Sequence, residues 1–204
     1  MVTLVTDPDL SASLIRDRQA RGIDHHDEVW EGVYVMAPAP NNEHQELVGE
    51  FIYLLRMVID NRNLGKVLPG TNITDRPEDW TKDYRCPDVV FFSNDTQAEN
   101  RDTHWLGGPD LAIEIVSPGD QTREKISFYE KVGTRELLIV DRDPWQLELF
   151  RLEEQQLKSV GISRLPESAW LACESVPLRL RLLPGEKRPK IELHHTNEEK
   201  TWFL

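Results

Sequence analysis

The sequence predicts a mixed α/β fold built around a sheet whose middle strands are covered on both faces. Three observations predict it. Segments 86–92, 110–116 and 136–141 are near-continuous apolar runs, as expected of doubly buried strands. A helical spacing of Phe128, Tyr129 and Val132 lies between the second and third runs. A stronger amphipathic segment precedes all of them, with Leu47, Val48, Phe51, Leu54, Leu55, Val58 and Ile59 at steps of three and four.

The elements follow in order. Residues 9–22 read as a short surface helix, capped by Asp9 or Ser11 and stopped by Gly22, with Leu10, Leu14 and Ile15 on one face. Glu28 to Met36 gives one or two short strands, ended by Pro38 and Pro40. Asn41 or Asn42 starts the long helix, which Asn63 and Gly65 end. Strands are expected over 66–74, 86–92, 110–116 and 136–141, with a helix over 121–132 closed by Gly133. A half-exposed strand runs from Gln146 to Leu152, where Leu147 and Leu149 alternate with Glu148. Residues 153–204, punctuated by Pro166, Pro177, Pro184 and Pro189, read as a loop- and strand-like extension.

A chain of 204 residues, 39% hydrophobic and 29% charged, has room for one compact domain. The expected organisation is a single domain over 1–204, with its core at about 28–152 and a C-terminal extension over 153–204. Two cysteines, Cys86 and Cys173, make neither a disulfide framework nor a four-thiolate zinc site. No apolar run reaches the roughly 18–20 residues of a membrane span, and the N-terminus lacks a signal-peptide pattern. The expected location is the cytoplasm, with no membrane partner. Net charge is −12, and the deficit falls in residues 1–150, because basic and acidic residues nearly balance from Arg151 onward. Dedicated nucleic-acid binders usually carry a basic face, so any such role must rest on a local site.

Two acidic residues interrupt apolar strands. Asp88 opens the run Val89-Val90-Phe91-Phe92, and Glu114 sits inside Leu111-Ala112-Ile113-Glu114-Ile115-Val116. An ionised carboxylate there is unfavourable unless it is paired or holds a metal. Brought together from neighbouring strands, the two would suit magnesium or manganese. The alternative is that each ends its strand at solvent or meets an arginine such as Arg85 or Arg123. Lys125 shares a helix face with Phe128, Tyr129 and Val132, which puts a cation on the sheet-facing side just beyond the strand bearing Glu114. The alternative is a lysine that reaches back to water. His44 extends the inward face of the long helix and is either a site residue or a packed cap; Glu43 is a second candidate there. Tyr129 faces inward beside Lys125, as an orienting group or as core. The pairs His25-His26 and His194-His195 read as surface loops.

Pro87-Asp88, Glu114-Ile115-Val116-Ser117-Pro118, Lys125-Ile126-Ser127-Phe128-Tyr129, Gly133 and Glu136 to Asp141 together resemble the Uma-two family. That family is a group of restriction-endonuclease-like proteins within the PD-(D/E)XK nuclease superfamily. Trp30-Glu31-Gly32, the prolines before the long helix and His44 also fit, and the likeness covers roughly residues 10–152. It implies a restriction-endonuclease-like αβββαβ core with N-terminal additions and a metal site at the sheet's edge. Asp88 matches the motif aspartate and Glu114 the acidic residue of the (D/E)XK element. The lysine of that element falls at Val116 here, and Lys125 on the following helix matches the displaced lysine of this family.

The resemblance therefore implies hydrolysis of phosphodiester bonds with Mg²⁺ or Mn²⁺ held by Asp88 and Glu114, a backbone carbonyl near Ile115 adding a ligand. Lys125 and His44 complete the expected site. Nucleic acid, DNA foremost, is the expected substrate, bound weakly and with metal; a homodimer stays open. Two other readings stay open: a non-catalytic module that keeps the fold, favoured by the acidic charge, and a metal-dependent hydrolase of a small phosphate ester. The sequence contains no Walker-type loop, Gly-x-Gly-x-x-Gly or Gly-x-Ser-x-Gly element, which disfavours nucleotide binding and serine hydrolysis.

Overall fold

The computed structural model describes residues 3–37, 39–59, 62–117 and 119–204. Pro38 and Pro118, expected at a strand end and in the turn after Glu114, lie outside the described residues. The chain opens with β1 (Thr3–Val5), α1 (Pro8–Ala20), β2 (Glu28–Trp30) and β3 (Val33–Met36). Next come α2 (Asn42–Ile59), β4 (Gly65–Pro69), β5 (Ile73–Thr74) and β6 (Val89–Ser93). The middle holds β7 (Glu99–Asn100), β8 (Trp105–Leu106), β9 (Leu111–Ile115), α3 (Ile126–Lys131) and β10 (Glu136–Arg142). The remainder is all strand: β11 (Trp145–Glu153), β12 (Gln156–Arg164), β13 (Leu171–Ala172), β14 (Leu178–Leu183), β15 (Lys190–His195) and β16 (Thr201–Phe203).

The central sheet has the order β12-β11-β10-β9-β6-β4. Only the β9–β10 pair in it is parallel, and α3 lies between those two strands in the chain. In sequence, α2, β4, β6, β9, α3 and β10 follow the expected αβββαβ order. Side-chain alternation sends Leu111, Ile113 and Ile115 of β9 to the face that α2 covers, where they join Leu47, Phe51 and Leu55. Ala112 goes to the opposite face with Phe128 and Tyr129 of α3, and Glu114 shares that parity. Among the described residues no helix is long and apolar enough to cross a membrane.

Several boundaries differ from expectation for identifiable reasons. The 66–74 strand is two pieces. Pro69 offers no amide hydrogen and Gly70 turns with φ +45°, so β5 leaves the central sheet and pairs with β8 instead. The 86–92 strand starts only at Val89, because Pro87 cannot donate and the Cys86 amide is bonded to Glu28. Helix α1 is capped by Asp7, whose carboxylate accepts from the Leu10 amide, with Pro8 in the first turn. Leu10 is 52% exposed, so it does not share a buried face with Leu14 and Ile15. The helix expected over 121–132 begins as a 3-10 turn at Thr122–Lys125 and becomes α-helical at Ile126.

The largest difference lies in the extension. Strand β12 joins the central sheet, and β13-β14-β15-β16 form a second sheet. Leu178, Leu180 and Leu182 alternate inward and enter the same core as α2. His194 and His195 are on strand β15 rather than in a loop, and His195 is buried.

Candidate active site

The start of β6 and the end of β9, interior strands of the central sheet, meet the starts of α2 and α3 at one end of that sheet. Asp88 stands one step before the ladder pair Val89–Ile113, next to Glu114 in register. Its Oδ2 accepts from the Ile115 amide at 2.8 Å, which fixes the carboxylate against the end of β9. The same oxygen lies 3.2 Å from His44 Nε2. His44 is placed by the helix start: Asn41 Oδ1 accepts from the His44 amide at 2.9 Å.

Glu114 is buried, and its partners come from the α3 side. Lys125 Nζ donates to its Oε1 and Oε2 at 3.1 and 3.3 Å, and the Tyr129 hydroxyl donates to Oε1. The spacing of four residues on one helical face brings this lysine and tyrosine to one carboxylate. Lys125 does not reach back to water. Its ammonium is buried and also donates to Glu28 Oε1 at 2.9 Å.

Burial pushes the Glu114 carboxyl up to about 8, against the opposing pull of Lys125. Asp88 and Glu28 add to the rise. Burial alone would lower the Lys125 ammonium, but Glu114 and Glu28 more than reverse this and hold it well above its ordinary value. The Tyr129 phenol is likewise held far up, by burial and by Glu114.

A cavity of about 360 Å³ opens over these groups, lined by His44, Asp88, Glu114, Lys125 and Glu28 among others. His25 and His26, exposed as expected of a surface loop, stand at the same cavity. The structure thus brings together all four side chains expected at the site. Glu43 belongs elsewhere: Arg142 donates to it at 3.0 Å and also bonds the Val116 carbonyl and Ser117, tying α2 to the end of β9. Neither Arg85 nor Arg123 meets the two carboxylates; Arg85 pairs with Asp83, and Arg123 with Asp141 and Glu148. Sequence reasoning missed Glu28. Its signal was the one used at Asp88, an acidic residue opening an apolar strand, here before Val29 and Trp30.

The donor set suits a hard cation. Magnesium keeps several waters and takes one or two carboxylates plus substrate phosphates, which Asp88 and Glu114 can supply. Two buried polar atoms on residues lining the cavity, His44 Nδ1 and Gln121 Oε1, have no hydrogen-bond partner among the described residues. Among the described residues no three His, Cys, Asp or Glu side chains form a group that could hold a metal ion.

This αβββαβ core, with the acidic residues at the strand ends, is that of a restriction-endonuclease-like protein. Among solved structures the fold is similar to that of a "putative nuclease" belonging to DUF820 from Anabaena variabilis ATCC 29413. The TM-score is 0.57 at 21% identity, over 71% of this chain and 79% of that one. The chain belongs to the Uma2 family, described as "Putative restriction endonuclease", which it matches over residues 17–183. Among curated proteins nothing matches it.

Proposed function

We propose that this protein is a metal-dependent endonuclease that hydrolyses phosphodiester bonds of nucleic acid, DNA foremost. The single observation supporting this most is the meeting of Asp88, Glu114 and Lys125 at one cavity, from three different elements of the fold. The family implies a nucleic-acid substrate, and restriction-endonuclease-like proteins generally use divalent metals.

Asp88 and Glu114 would hold Mg²⁺ or Mn²⁺, which acidifies water and offsets charge building on a phosphate. The Ile115 amide and His44 hold Asp88 in place for that role. Lys125 presents a fixed ammonium beside Glu114, where it orients the attacking water or stabilises the charge of the transition state. It does from the helix what Val116 cannot do from the strand. Tyr129 keeps Glu114 turned toward the cavity.

A cleavage assay on single- and double-stranded DNA and RNA, with magnesium, manganese or EDTA, tests this reading. Cleavage with either metal and none with EDTA is expected. No cleavage of any substrate with either metal overturns it. With a net charge of −12, DNA affinity without metal should be weak and its salt dependence shallow.

A further inference from the structure

Glu28 comes from β2, in a small sheet apart from the central one, and it is 4% exposed. Both of its oxygens are in use. Oε1 accepts from Lys125 Nζ at 2.9 Å and from the Cys86 amide at 2.8 Å. Oε2 accepts from Trp30 Nε1 at 2.6 Å. Such a carboxylate has no freedom to turn. The ammonium has three donors, and Glu28 and Glu114 account for three bonds.

A lysine has four rotatable stem bonds and no intrinsic reason to stay at one place in a cavity. Glu114 alone is a poor anchor if it must also give an oxygen to a cation. Resting on the nuclease reading, we propose that Glu28 is the positioning residue of Lys125. It shares the ammonium with Glu114 and holds it at the cavity wall, so that the ammonium keeps its place when Glu114 turns an oxygen to the metal. The Cys86 bond gives Glu28 a second tie, to the segment that enters Asp88 two residues later. Without Glu28 the ammonium falls wholly to Glu114, where it competes with the cation and leaves the place where the substrate needs it.

The test is a double-mutant cycle on the full chain with Glu28→Gln, Lys125→Ala and both together. It is read by calorimetric titration with Mn²⁺ alone and by cleavage kinetics. Glu28→Gln should lower kcat by about a hundredfold, as expected of a misplaced catalytic group, with KM for DNA nearly unchanged. It should also weaken Mn²⁺ binding several-fold. In the Lys125→Ala background the same substitution should change neither quantity, since the group it positions is gone. Equal losses in both backgrounds overturn the proposal, as does wild-type behaviour of Glu28→Gln. Should that variant not fold, as judged by its thermal melt, Glu28→Asp enters the same cycle; it keeps the charge and withdraws the carboxylate by one methylene. A wild-type protein that binds Mn²⁺ and cuts, with additive effects, overturns only the role of Glu28. One that neither binds nor cuts overturns the nuclease reading as well.

Discussion

Glu114 and Glu136 are buried glutamates on the two adjacent parallel strands, β9 and β10, yet their surroundings differ in kind. Glu136 sits at the start of β10 and accepts from the Glu174 and Ser175 amides, the Ser175 hydroxyl and Arg151. Two of those donors are backbone and cannot leave. Glu114, toward the other end of its strand, has only side-chain donors, Lys125 and Tyr129, beside a cavity. A carboxylate tied by backbone donors staples the extension to the sheet. One tied by side chains can exchange partners, as the proposed metal ligand must.

The largest effect expected from this contrast is on stability. Glu136→Gln breaks a buried ion pair and leaves amides poorly matched, so unfolding free energy should fall by about 3 kcal/mol. Cleavage per folded molecule should not change. Denaturant titration beside the nuclease assay checks both, and lost activity in a stably folded variant would erase the distinction between the two sites.

At the other pole, Lys125→Ala should fold yet cleave about a hundredfold more slowly or worse, the usual effect of losing one electrostatic stabiliser. Unchanged cleavage with metal dependence intact would make Lys125 purely structural.

A pH series sharpens the contrast further. The folded protein holds the Glu114 proton up to about 8, against an ordinary 4.5. Metal ligation needs the ionised form, so Mn²⁺ affinity should rise roughly tenfold per pH unit below about 8 and level off above it. The linked stability has the opposite sign. A raised carboxyl favours folding most below its ordinary range, and that contribution is lost as pH climbs toward about 8. An Mn²⁺ affinity that stays flat from about pH 6 to pH 9 would contradict this account.

The smallest effect belongs to His44. Its contact is with Asp88, so His44→Ala should lower cleavage by about tenfold, as for an outer-shell partner of a metal ligand. A loss as large as that of Lys125→Ala would place the imidazole in direct contact with the substrate.

The central strands were legible because buried strands write themselves as apolar runs, and an acidic residue inside such a run is conspicuous. Lys125 was legible through helical spacing, which carries a side chain's direction over four residues. Glu28 carried the same mark as Asp88, but its partnership with Lys125 was not legible, because it spans 97 residues and a three-residue strand carries no usable period. The extension was legible only as strand-like. The alternation of Leu178, Leu180 and Leu182 with arginines marks a half-buried strand, but pairing partners are a tertiary fact. The early end of the 66–74 strand followed from Pro69, a residue whose missing donor was visible all along.

Lys125 joining Glu28 to Glu114 also bears on how the protein comes into being. Contacts of such sequence separation form late, since long loops must close before they contribute. The candidate site residues are strewn from Glu28 to Tyr129, and β9 pairs with β10 further along, so a chain still emerging from the ribosome carries these residues before they can meet. An enzyme that cuts nucleic acid would then emerge harmless to the nascent-chain machinery around it. On the proposed reading, activity would switch on only once the ordered sheet has closed.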